Sequence, residues 1–474
     1  MSFAPASRPT DTRSPDSRSS SRRSPFGPST RTSASCSRAL GAERDSIYRL
    51  SHVHGSASLS GRHSMCDQAT SRNGGNMFNS GKAMRRWTLV SGLVLLASLA
   101  VGTSGPSAAT AKPRWVVSDL GTLGRAWRDS GAVGVNENGQ IAGTSGTASG
   151  KQHAFLWQSG KMTDLGTLGG RDSSAVSLND RGQVIGTSLT AKPARTHAFL
   201  WQSGKMTDLG TLGGRSSRPR AINNRGQIVG ESFTASGKVH AFLWRKGKMS
   251  DLGTLGGPSS TALAINEHGQ VVGSSSTAAG RTHAFLWQNG EMTDLGTLGR
   301  VYSDSGAVAI NDRAQVVGDS FKPTVTQTGQ PGHAFLWQNG KMTDLGALRG
   351  YRDSHAAAIN QRGVVVGESI AKTGKRQTVL WRGGKIAPIR TLGGGFSGSI
   401  EINDHGQVIG SSVPAGGAVV HAFLWQSGKS LDLGTLGGAE SDAAAINENG
   451  QIVGVSNTAN GARHAVLWTK MGDS

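Results

Sequence analysis

Cysteine is almost absent from this 474-residue chain: Cys36 and Cys66 are the only two, and both fall within the first 83 residues. The remainder cannot be a disulfide-stapled scaffold and must hold itself by burial and closure. Apolar residues spaced every 3.6 positions are also missing, which excludes a helical bundle. The longest apolar stretch, Leu89 to Val101, is too short for a secure bilayer span. Lysine and arginine are scattered rather than gathered in runs. A formal net charge of +20 therefore comes without anything resembling a nucleic-acid-binding arm. No paired-histidine metal motif, calcium-loop pattern or nucleophile elbow occurs, so no metal, cofactor or catalytic residue is expected.

The first 83 residues are rich in Ser, Arg, Pro and Gly and poor in large apolar side chains. Such a segment cannot offset its ordering entropy by burial and reads as disordered. It carries 12 Lys or Arg against 5 Asp or Glu, so part of the basic charge belongs to it. Residues 84–111 have the order of a secretory signal peptide: Met84-Arg85-Arg86, an apolar run, then small residues at Ser107, Ala108, Ala109 and Ala111. The preferred reading starts translation at Met84 or Met77 and makes the upstream segment a start-site artefact. The alternatives are a long signal region or a cytoplasmic tail on a membrane anchor. The mature chain is then residues 112–474, extracellular, cysteine-free and expected to be a monomer without stable membrane insertion.

What is abundant is a repeat. Tryptophans 157, 201, 244, 287, 337, 381, 425 and 468 close eight copies of one text, most about 44 residues long. A period in the forties means stacked supersecondary units that bury a core only against neighbours. Each copy supplies four short strand-like segments: the stretch before an Asn (Ala175 to Leu178), the GQVVG segment (Gln270 to Gly273), HAFLW, and the stretch Lys205 to Leu212. Asn-x-x-Gly turns separate the first two, as at Asn136 to Gly139; one copy has Ala314 in place of Gly. Ser-Gly or Asn-Gly pairs such as Asn289–Gly290 predict tight primed hairpins between the last two. Four antiparallel strands repeated radially make a β-propeller. The last copy lacks its fourth strand, and Trp115 to Leu123 supplies an orphan fourth strand at the start. These observations predict an all-β, eight-bladed propeller with four-stranded blades, closed by the N-terminal strand in the last blade. An open β-array and two smaller propellers are the alternatives.

The repeated histidines (His153, His197, His240, His283, His333, His421, His464) and aspartates (Asp119, Asp164, Asp208, Asp251, Asp294, Asp344, Asp432) read as hydrogen-bonding supports, since catalysis needs one asymmetric constellation. One copy has Gln377 and Pro388 at these places. The repeated tryptophans read as blade-to-blade packing. Residues that break the repeat on the longer-loop face are the binding candidates: Trp127, Arg128, Asp129, Tyr302, Asp304, Tyr351, Arg352, Asp353, His355 and Phe396. Arg215, Arg218 and Arg220 break it too, and the longest loop, Phe321 to Gly332, lies on the same face.

Over roughly residues 115–470 the chain resembles the bacterial extracellular HAF repeat proteins, on the joint recurrence of HAFLW, the Asn-x-x-Gly-Gln turn and DLGTLGG. That resemblance implies a secreted or surface protein and supplies no catalytic residue. The text RQTVLW and APIRTLGG departs most from the pattern. The expected function is a noncatalytic binding or scaffold module for a carbohydrate, a peptide or an acidic cell-envelope polymer. A carbohydrate-active hydrolase or lyase, needing clustered carboxylates or a His/Tyr/Arg cluster, is the alternative.

Overall fold

A computed structural model describes residues 115–124, 129–323 and 331–471, with backbone alone at 395–397 and 399. All fall in one compact unit, Gly81–Ser474. The segments 1–83 and 84–111, Trp127, Arg128 and most of the loop after Phe321 lie outside the described residues. Among the described residues no helix is long and apolar enough to cross a membrane.

Among the described residues thirty-two strands form eight four-stranded antiparallel sheets. Blade one is β2 (Ser130–Val135), β3 (Ile141–Gly146), β4 (Gln152–Gln158) and β5 (Lys161–Asp164), and the order repeats in blades two to seven. Blade eight is β30 (Gly437–Ile446), β31 (Ile452–Thr458) and β32 (Arg463–Lys470), completed by β1 (Trp115–Asp119). Trp115 pairs with Lys470 and Val117 with Trp468. The eight-bladed closed propeller expected from the repeat is what the chain forms.

Two strand boundaries differ from the sequence reading. The fourth strand of blade two ends at Asp208, not Leu212. Asp208 Oδ1 accepts the Gly210 N–H at 2.7 Å and Gly210 takes φ +74°, which turns the chain out of the sheet. The first strand of blade three, β10 (Gly213–Ile222), begins in the glycine pair, well before the alternating stretch. Register shifts between Gly213 and Ser217 and between Pro219 and Ala221 let it run this far against its partner. DLGTLGG is thus a crossover from the outer strand of one blade to the inner strand of the next.

The core sits between blades. Ala142, Leu156 and Leu165 of blade one pack on Val184 and Phe199 of blade two, with Trp201 partly buried against them. The joint between blades eight and one repeats this with Val453, Leu467 and Phe155. The HAFLW phenylalanines at 155, 199, 242, 285, 335 and 423 are 0% exposed, each worth about 1.5–3 kcal/mol of burial. The second glycine of GQVVG is fixed by close approach: a Cβ on Gly186 would stand 2.0 Å from the Ser174 carbonyl oxygen.

The Asn-x-x-Gly turns do more than reverse the chain. Asn136 Oδ1 accepts the N–H groups of Asn138 and Gln140, as expected of a turn asparagine. Its Nδ2 reaches the next blade and donates to the Asn179 carbonyl at 2.9 Å. The same bond runs from each turn to the next around the ring.

Candidate functional site

The repeated polar residues are occupied by the frame. In seven blades the HAFLW histidine places Nδ1 2.7–2.8 Å from an oxygen of the fourth-strand aspartate. The same aspartate accepts the N–H of the glycine two residues on, as Asp164 does from Gly166 at 2.8 Å. Where the sequence has Gln377 and Pro388, Gln377 Nε2 donates instead to the Ile389 carbonyl at 2.7 Å. The histidine–aspartate pairs pin outer strands to crossovers, in line with their reading as supports.

The residues that break the repeat divide into three groups. Trp127, Arg128 and the side chain of Phe396 lie outside the described residues. Asp129 and Asp304 brace blade joints: Asp129 Oδ1 accepts the Arg463 N–H at 3.2 Å, and Asp304 Oδ1 accepts that of Thr282 at 2.8 Å. Tyr302, Arg352, Asp353 and His355 gather at the joint of blades five and six. Blade five runs from β18 (Asp304–Ile310) through β19 (Val316–Phe321) and β20 (Gly332–Gln338) to β21 (Lys341–Asp344). Blade six begins with β22 (Asp353–Ile359) and β23 (Val365–Ile370). Tyr351 sits in the crossover between them, its N–H donating to the Leu348 carbonyl at 2.8 Å.

At the rim of this joint the Tyr302 ring lies 6.1 Å from the His333 ring, and Lys322 Nζ stands 5.5 Å from the Tyr302 centroid. His333 Nδ1 faces Asp344 at 2.8 Å while Nε2 faces the Arg352 carbonyl at 3.1 Å, so both ring nitrogens meet acceptors and the imidazolium is favoured. The Asp344 bond accordingly raises the His333 pKa, against the opposing effect of burial. Burial works against ionisation of Asp344, but the His333 and Gly346 hydrogen bonds and the nearby positive charges hold its pKa below the usual value. Burial, then the Asp344 and Asp353 charges, push the Tyr302 phenol up. Arg352 Nη2 pairs with the buried Asp353 at 2.8 Å.

Deeper in the joint, Asp319 of β19 receives the Ala356 N–H at 2.9 Å and faces His355 Nδ1 at 3.1 Å. Burial disfavours the His355 cation, but Asp319 and then Glu368 outweigh it and raise the pKa; Arg376 opposes them. Arg376 Nη1 lies 2.6 Å from Glu368. The same inter-blade position between blades one and two is a neutral pair, Thr144 and Ser174 at 2.8 Å. Sequence reasoning missed Asp319, Lys322, Glu368 and Arg376. The second-strand column of Asp319 holds Thr144, Thr187, Glu231, Ser274, Glu368, Ser411 and Val455 in the other copies, so the column alone does not single it out.

The joint presents an aromatic ring, cationic heads at Lys322 and Arg352, and a histidine oriented from behind by a carboxylate. It can hydrogen-bond and stack a polar ligand. Among the described residues no group of three or more metal-ligating side chains converges.

No family model matches the chain. No curated protein matches it either. Among solved structures it is similar to the β-propeller domain of the Trilobed protease from Pyrococcus furiosus, at 12% identity over 62% of this chain and 93% of that one, TM-score 0.40. It is similar to a puromycin-hydrolysing peptidase from Mycobacterium tuberculosis, at 12% identity over 62% and 50%, TM-score 0.43. An acylaminoacyl peptidase from Pyrococcus horikoshii gives 12% identity over 71% and 59%, TM-score 0.41. The likeness is one of fold, and the activities in those descriptions belong to those proteins.

Proposed function

We propose that this protein is a secreted, noncatalytic β-propeller of the HAF repeat type that binds a carbohydrate, a peptide or a cell-envelope polymer on its longer-loop face, at the joint of blades five and six. One observation carries the reading: six side chains that depart from the repeat, Tyr302, Lys322, Arg352, Asp353, His355 and Asp319, meet at one joint, while the repeated His, Asp and Asn side chains are consumed by the frame. A rigid ring that gathers aromatic and charged departures at one joint is the arrangement of a recognition module. The hydrolase reading asks for two carboxylates free to exchange protons with a glycosidic oxygen. Here Asp304, Asp344 and Asp353 are each bound, to Thr282, His333 and Arg352.

The test is a binding screen of the purified protein against glycans, peptides and envelope polymers, repeated with Tyr302→Ala and Arg352→Ala. The expected result is a ligand whose affinity falls at least about tenfold in both variants. Failure to find any ligand weakened by both variants would overturn the location, and hydrolysis of a screened glycan would overturn the noncatalytic reading.

A further inference from the structure

Blade three departs from the repeat independently. Its innermost strand β10 carries Arg215, Arg218 and Arg220, all exposed. At the place of Arg218 blade two has Ser174 and blade four has Thr261; at the place of Arg220 they have Val176 and Leu263. Three exposed arginines along one strand make β10 a basic wall.

Their partners are informative. Arg220 Nη2 takes Glu231 of the adjacent β11 (Ile228–Thr234) at 2.9 Å. Arg215 and Arg218 have no carboxylate partner among the described residues. The Arg215 guanidinium instead lies 4.7 Å from the centroid of Phe233. A guanidinium held on a ring face loses freedom but keeps its N–H edge for a bidentate acceptor. In blade two the corresponding Arg171 gives Nη2 to the Gly150 carbonyl at 2.9 Å. A Cβ on Gly214 would stand 2.5 Å from Phe233 Cβ, so glycine is what lets the strand lie against that side chain. Beside it opens a cavity of about 360 Å³ lined by Gly214, Arg215, Phe233, Thr234, Ala235 and Gly237.

We propose that this wall binds an acidic polysaccharide, with sugar carboxylates on Arg215 and Arg218 and the chain lying along the adjacent cavity. Planar carboxylates match guanidinium forks. Nucleic acid fits less well, because Phe233 is already faced by Arg215 and offers bases no open stacking platform. The proposal shares the binding role assigned to the blade-five joint but uses different residues.

Full-length protein is titrated with polygalacturonate and with its methyl ester, whose carboxylates are masked. Wild type is compared with Arg215→Ala/Arg218→Ala, with a charge-matched Lys205→Ala/Lys248→Ala control on outer strands, and with Tyr302→Ala. Loss of two charge-assisted contacts is expected to weaken polygalacturonate binding at least about tenfold. The lysine control should stay within about twofold, and the ester should bind weakly to all four proteins. No binding by wild type, equal weakening in the arginine and lysine variants, or tight binding of the ester overturns the proposal. A Tyr302→Ala effect matching that of the arginine pair would place acidic-polymer binding at the blade-five joint instead and likewise overturn it.

Discussion

Asn447 Nδ2 donates to the carbonyl oxygen of Asn136 at 2.9 Å across 311 residues of sequence, closing a circle of eight asparagine bonds. Closure is thus made twice, once by β1 on β32 at the outer edge and once by these turns near the axis. Asn447 is buried and also accepts the Gln451 N–H at 2.9 Å. Asn447→Ala leaves the Gln451 N–H without its acceptor and takes from the Asn136 carbonyl one of two donors, the Gly139 N–H remaining, at an expected cost of about 1–3 kcal/mol. Denaturant midpoints at constant m-value measure it; a shift below about 0.5 kcal/mol would mean that water replaces the side chain at no loss.

Ala314 occupies the turn position filled elsewhere by glycine and takes φ +57°. Its backbone bond is normal, the N–H donating to the Asn311 carbonyl at 3.1 Å, so the geometry is imposed by the turn. An L-residue in this region costs about 1–2 kcal/mol, and part of that is returned in chain entropy when glycine replaces it. Ala314→Gly is expected to stabilise by roughly 0.5–1 kcal/mol. A lower melting temperature in the variant would show that the turn carries no strain.

The rim of the blade-five joint should respond to pH in both directions. His333 has a raised pKa, so its contribution is complete below the unfolded value near 6.5 and is lost as pH rises through the folded pKa. Asp344 has a lowered pKa, so its contribution is present above the unfolded value near 3.8 and lost as pH falls through the folded one. Hydrogen exchange around Leu345 and Gly346 is expected to be slowest between those limits. His333→Gln should remove the alkaline limb and weaken the acid one, since the imidazolium helps hold Asp344 down; an unchanged alkaline limb in that variant would assign it to another group.

The fold was legible because the repeat states it eight times: strand-forming segments, Asn-Gly turns and a missing fourth strand balanced by Trp115 to Leu123 are all local text. Asn289 and Gly290 at φ +53° and +93° form the primed hairpin that their identities predict. What local text could not carry is where a side chain goes once blades stack. Asn136 reads as a turn residue and is one, but its Nδ2 bond needs a neighbour 43 residues away. Tyr302, Arg352 and His355 were visible as departures from the pattern, whereas Asp319 is short and polar like the Thr and Ser it replaces. Only the register of β19 against β22 turns it into the partner of His355.

Glu401 is a further departure of this kind. It lies on β26 (Gly393–Ile402), the inner strand of blade seven, where the aligned positions hold Ala221, Ala264, Ala309, Ala358 and Ala445. Burial pushes its pKa up to about 7, opposed by the Ile446 N–H and reinforced by the charge of Glu448. Its Oε2 accepts that N–H at 3.1 Å, so the carboxylate spans the joint with blade eight. A carboxyl group whose pKa is higher folded than unfolded contributes stability below the unfolded value of about 4.5, and that contribution is lost as pH rises through 7. Glu401→Gln keeps an oxygen acceptor for Ile446 without ionising. The variant should match wild type near pH 5 and unfold at higher denaturant near pH 8, where the wild-type group must carry a charge in the joint. An equal difference at both values would assign the effect to packing, and no difference at pH 8 would mean that the ionised carboxylate reaches water.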